Sequence, residues 1–161
     1  MVETAEEYTK LSEFNKALTL LSHVIWDYRR EKWWKLVNTL LAKALALAYV
    51  TVSRSDLIRI LVEYLGPNFK EFLGPKRDEL QRLLDDVLTG ACPRVFEFEL
   101  ELKKEVLEQA RDKWRRTLSK PCDHPILLDM TPIVGLWEVS CHFEKGTYSL
   151  DDVVRVGVHV R

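Results

Sequence analysis

Apolar residues recur at intervals of three and four along the first third of the chain. Tyr8, Leu11, Phe14, Leu18, Leu21, Ile25 and Tyr28 form one stripe, and Trp33, Val37, Leu40, Ala44 and Leu47 or Ala48 form a second. That spacing lines up one face of an α-helix, and no glycine or proline interrupts it before Gly66. Projected at roughly 100° per residue, the two stripes are offset by about a third of a turn or more, so one straight helix cannot bury both. Two helices are therefore predicted, with a corner near 29–32. The second is nearly apolar all round from 40 to 52, with alanines at 42, 44, 46 and 48, and reads as the central buried helix. Ser53 or Ser55 offers an N-cap for a third helix over 56–65. Gly66-Pro67 stops it, a short segment over 68–73 follows, and Gly74-Pro75 opens a further helix through Leu88. The paired Gly-Pro steps read as a small echo and not as a repeat array.

Beyond Gly90 the period changes. Phe96, Phe98, Leu100 and Leu102 alternate with Glu97, Glu99 and Glu101, the pattern of a strand with one wet face. Val95, Phe98, Leu102, Val106, Ala110, Trp114 and Leu118 also fit one long helix over 94–120. Strand followed by helix is preferred, because the aromatics alternate directly behind Pro93. Pro121, Pro125 and Pro132 then mark a loop-rich connection. Trp137, Val139, Cys141 and Phe143, and later Val154, Val156, Val158 and Val160, alternate with polar residues or glycine on either side of Glu144-Lys145-Gly146. The expected class is α+β and predominantly α: one domain over 1–161, a helical bundle over about 5–90 within a helical part over about 1–120, and a small antiparallel β-hairpin or sheet over about 126–161.

At 161 residues with 47% hydrophobic side chains the chain can build one core. Its 24 Lys and Arg against 25 Asp and Glu leave a net charge of -1, so no global field draws it to nucleic acid or anionic lipid. The longest apolar run, 40–52, contains Lys43 and falls short of the roughly 20 residues a bilayer needs. No membrane span and a cytoplasmic location are expected. Cys92, Cys122 and Cys141 make an odd count, which suits reduced thiols better than a secreted disulfide framework.

Candidate chemistry adds little to this picture. Five of the seven Cys and His residues fall between 92 and 142, yet Cys122-Asp123-His124 and Cys141-His142 lack a Cys-x-x-Cys knuckle, and neighbours on a strand point to opposite faces. No metal is predicted. Glu101-Leu102-Lys103, followed by a helix carrying Gln109 and Ala110, resembles the Glu-x-Lys element of the PD-(D/E)xK nuclease family. That resemblance would imply a divalent cation held by Glu101 and an upstream aspartate, with Lys103 steadying the attacking water. The family's preceding acidic strand is missing, since Asp85 and Asp86 read as helical. Residues 52–59 have the flavour of a helix-turn-helix entry, but no recognition helix follows at the required spacing. No nucleophile triad, phosphate-binding loop or dinucleotide fingerprint is present; no catalytic residue and no cofactor are predicted.

Binding is what the sequence favours. Tyr28-Arg29-Arg30-Glu31-Lys32-Trp33-Trp34-Lys35 packs three aromatics and four cations into eight positions, and Arg111-Asp112-Lys113-Trp114-Arg115-Arg116 nearly echoes it. Trp and Arg are enriched at interface hot spots. The stripes assign Trp33 to the core and leave Trp34 with Arg29, Arg30 and Lys35, and Lys113 with Arg115 and Arg116, as partner-binding candidates. A protein partner or a second copy in a homodimer is expected. Nucleic acid, its phosphates on the cations and a base on an exposed indole, is the alternative, and a metal-dependent nuclease is the third reading. The plan of a helical domain followed by a short β module resembles that of the GINS replication subunits.

Overall fold

A computed structural model describes residues 1–94, 100, 102–119, 126 and 127, together with the backbone of 139–143 and 156–160. Seven α-helices account for most of them: α1 Val2–Lys10, α2 Phe14–Arg30, α3 Trp34–Thr51, α4 Arg54–Tyr64, α5 Lys70–Leu73, α6 Lys76–Thr89 and α7 Lys104–Leu118. A short 3-10 turn, Pro67–Phe69, leads from α4 into α5. The breaker-free stretch before Gly66 thus holds four helices, and the first predicted stripe is cut once more, at residues 11–13.

Three successive corners share one construction. Ser12, Lys32 and Val52 each adopt a left-handed backbone, with φ of 61°, 60° and 57°. The next residue's amide in each case reaches back five positions: Glu13 N–H donates to the Tyr8 carbonyl (2.8 Å), Trp33 to Tyr28 (3.0 Å) and Ser53 to Ala48 (3.3 Å). These are Schellman closures built without glycine. The step between them is 20 residues, and burial repeats with it. Ala17, Val37 and Leu57 are fully enclosed, and Leu21, Leu41 and Leu61 are buried at equivalent places one turn further along. The recurrence lies in corner geometry and core positions: leucine returns at 21, 41 and 61, while side chains of different size stand at 17, 37 and 57.

Consecutive helices pack on each other, α1 on α2, α2 on α3 and α3 on α4, while α6 packs on α4 and α7 on α3. Ion pairs tie every second helix. Lys43 of α3 meets Glu6 of α1 at 2.5 Å, and Arg29 of α2 meets Glu63 of α4 at 2.6 Å. The Lys43 ammonium donates to the Glu6 carboxylate and holds that carboxyl below its ordinary value of 4.5. Surrounded by α1, α2, α4 and α7, α3 buries eleven of its eighteen residues, as its all-round apolar character requires. Its alanines 42, 44, 46 and 48 are all buried, which lets the neighbouring helices approach closely.

Ser53 caps α4 as expected, accepting a hydrogen bond from the Asp56 amide (3.4 Å) and donating one to the Asp56 carboxylate (2.6 Å). One continuous helix over 94–120 is not formed, since Leu100, Leu102 and Lys103 are non-helical and α7 begins at Lys104. The strand expected over 94–102 falls largely on residues outside those described.

The α+β class, with its β-rich part over about 126–161, is corrected: the protein is helical. Every buried side chain among the described residues lies on a helix or on a segment joining two helices. Two five-residue strands, β1 Val139–Phe143 and β2 Val156–Val160, run antiparallel with Cys141 opposite Val158, and no sheet forms a layer of the described core. Local alternation reports a strand, whereas the class follows from the elements that build the core. Among the described residues no helix is long and apolar enough to cross a membrane.

Candidate interaction surface

The two basic-aromatic segments occupy opposite ends of α3. The first forms the corner between α2 and α3. The second lies on α7, where the Trp114 indole donates from Nε1 to the Tyr49 carbonyl in the last turns of α3 (2.8 Å). Lys113 lines a groove of about 390 Å³ with Val50, Thr51 and the residues of the α1–α2 corner. From Lys35 to Thr51 the helix climbs roughly 24 Å at about 1.5 Å per residue. The two groups of candidate cations therefore lie at separate ends of α3.

Within the corner, the members of the predicted site separate. Arg29 is a structural tie. Its Nε donates to Glu63 Oε1 (2.8 Å) and its Nη2 to Glu63 Oε2 (2.6 Å), and its guanidinium lies 5.6 Å from the centre of the Trp26 ring. This two-pronged bond keeps the carboxylate of Glu63, the one buried charged residue among those described, satisfied. Arg30 and Lys35 are exposed.

Of the two tryptophans, Trp33 departs from the core place assigned to it. Trp33 is 53% exposed, whereas Trp34 is half-buried, with its ring edge-on to Phe69 at 5.9 Å. The reason is local. Trp33 is the N-cap of α3, with ψ of 62°, so a helical projection does not apply to it. Trp34, the first helical residue, stands one turn before Val37 on the buried stripe. Trp33 instead folds back and stacks on Tyr28, with ring centres 5.4 Å apart and 24° between planes.

Ring contacts continue across this end of the molecule. Phe69 receives Trp34 on one side and Tyr64 on another (5.9 Å), and meets Phe72 at 6.5 Å. Phe72, on the single turn of α5, is 44% exposed, and Leu36, one turn beyond Trp33, is exposed too. The sequence reading passed over Leu36 and Phe72. The signal for Phe72 was its place between two Gly-Pro steps, where four helical residues cannot enclose a ring.

On α7, Lys113, Arg115 and Arg116 are exposed, with Arg115 within 3.6 Å of Asp112. The ring between them, Trp114, is fully buried against Tyr49 (6.2 Å). Burial, with the Cys92 thiol adding to it, pushes the Tyr49 phenol up to about 12, and its hydroxyl donates to the Pro93 carbonyl at 3.4 Å.

The nuclease-like element stays incomplete. Asp85 and Asp86 lie on α6, Asp86 faces Arg94 at 3.2 Å, and Glu101 is outside the described residues. No three His, Cys, Asp or Glu side chains converge to hold a metal among the described residues. Cys122 and His124 lie outside them, as do the side chains of Cys141 and His142.

A family described as Foie gras liver health family 1 matches residues 1–66, the stretch that contains α1 to α4. Over all 161 residues the chain is 25% identical to trafficking protein particle complex subunit 11 of Bos taurus, 24% identical to that of Homo sapiens and 23% to that of Gallus gallus. It spans 14% of the length of each of these relatives. No solved structure matches the chain. The similarity is thus to one stretch of a protein named as a subunit of a complex.

Proposed function

We propose that this chain is a non-catalytic assembly module, a helical part of a subunit in a multiprotein trafficking particle, and that it acts in the cytoplasm by contact with protein partners. One observation carries this reading: similarity along the entire chain to a protein named as a subunit of such a complex. The fold suits it. Helices laid down in 20-residue steps stack on their neighbours, and stacked helical proteins present extended surface for binding. The expected second copy and the alternative of nucleic acid gain nothing from the placement of the cations. A phosphate track would need Arg30, Lys35, Arg115 and Arg116 along one groove, and they stand at the two ends of α3.

The test is purification of the protein carrying this chain from its own cells, followed by size-exclusion chromatography and mass spectrometry. Co-elution in fixed ratio with other subunits of a trafficking particle is the expected outcome. Elution as an isolated polypeptide, as a homodimer, or with bound nucleic acid would contradict it.

A further inference from the structure

Eight large apolar side chains are well exposed among the described residues, and three of them, Trp33, Leu36 and Phe72, stand at the end of the stack where α2 and α4 finish and α3 begins, Phe72 against the Phe69 ring that also takes Trp34 edge-on. Clustered apolar surface, unlike single scattered side chains, marks sites of interaction. Trp33 is also held still. It sits on a closed corner and is stacked on Tyr28, so it presents a large ring whose rotational freedom has already been given up. Around it stand Arg30, Lys32 and Lys35, all exposed and without an ion pair among the described residues, and Lys70 beside Phe72.

We propose that this end of the stack, centred on Trp33 with Leu36 and Phe72, is a docking face for an acidic segment of a protein partner that carries large apolar side chains of its own; this rests on the assembly role proposed above and names the chemistry of the partner. The apolar centre takes the partner's apolar side chains, and the cations at the rim select carboxylates and speed encounter. A polypeptide fits better than an anionic membrane. Glu31 and Glu71 interleave with the cations; a lipid surface of one sign repels them, whereas a protein segment can match both signs residue by residue.

The test places p-benzoyl-phenylalanine at position 33 of the protein carrying this chain, irradiates the assembled particle in cells, and identifies the attached segment by mass spectrometry. A segment in which Asp and Glu outnumber Lys and Arg, and which contains Leu, Ile, Phe or Trp, is expected. Its yield should fall about fivefold or more when Lys32→Glu and Lys35→Glu are introduced together, and fall again with Phe72→Ala. Urea midpoints, measured in parallel, should match the parent for the two lysine variants, which are exposed, and fall only slightly for Phe72→Ala, which gives up its contact with Phe69. Attachment to lipid, to nucleic acid, to a second copy or to a neutral or basic segment overturns the proposal, as does a yield indifferent to charge reversal. A particle that forms with no attachment at position 33 removes the docking face and leaves the assembly role standing. A protein that purifies alone removes both.

Discussion

Two segments of nearly the same composition, 28–35 and 111–116, behave in opposite ways. In the second, Trp114 falls mid-helix on the apolar stripe of α7, its ring is enclosed against α3, and its indole N–H is spent on the Tyr49 carbonyl. In the first, Trp33 stands at the cap position of α3, outside the helical register, and half of it faces solvent. The cations divide as well. Arg29 is drawn inward by Glu63, while Arg30, Lys35, Lys113, Arg115 and Arg116 remain outside. Placement relative to a helix end, and not the mixture of residue types, decides whether a tryptophan serves the core or a surface.

The contrast can be broken most severely at Trp114. Trp114→Ala removes a fully buried ring and should lower the unfolding free energy by roughly 3–5 kcal/mol in urea denaturation; a loss below about 1 kcal/mol would place that ring at the surface. Glu63→Ala should come next, at roughly 2–4 kcal/mol, because it leaves the Arg29 guanidinium largely buried without its carboxylate. Loss of the same size from an exposed pair such as Lys10 with Glu7 would show that burial is not the cause.

Alkaline pH probes the Trp114 side in another way. The Tyr49 phenol ionises near 10.0 in the unfolded chain and near 12 in the fold. The fold therefore favours the protonated form, and its stabilisation is complete below pH 10 and lost as pH rises through 12. Stability should drop by roughly 2–3 kcal/mol across that window, and Tyr49→Phe should remove this part of the decline. The smallest effect is expected at the corner. Trp33→Ala gives up only a stack on Tyr28 and should change stability by about 1 kcal/mol or less, while weakening partner contact.

The sequence revealed the parts of this architecture that rest on local chemistry. The Ser53 cap, the Gly-Pro stops and the buried character of α3 were all readable, because hydroxyl capping, proline geometry and all-round hydrophobicity act within a few residues. The corner at Ser12 was not readable, since a left-handed serine leaves no mark in composition. The 20-residue step was legible only in part, because leucine returns at 21, 41 and 61 while Ala17, Val37 and Leu57 share a place in the core and nothing in identity. At the candidate surface the segment 28–35 was visible in the sequence as a cluster of aromatics and cations. Its internal assignment failed at Trp33 and Trp34, where a helical projection was carried one residue past the helix, and at Arg29, whose partner lies 34 positions away on α4. Phe72 belongs to the same surface through Phe69, a contact between elements that no sequence window contains.

Hydroxyl-radical footprinting of the protein, free and within the particle proposed for it, tests the division between the two segments most directly. Trp33 and Phe72 should be oxidised in the free protein and protected in the particle, while Trp114 stays protected in both. Equal oxidation of Trp33 in the two states, or protection of Trp33 in the free protein, would contradict the assignment of this corner to a partner.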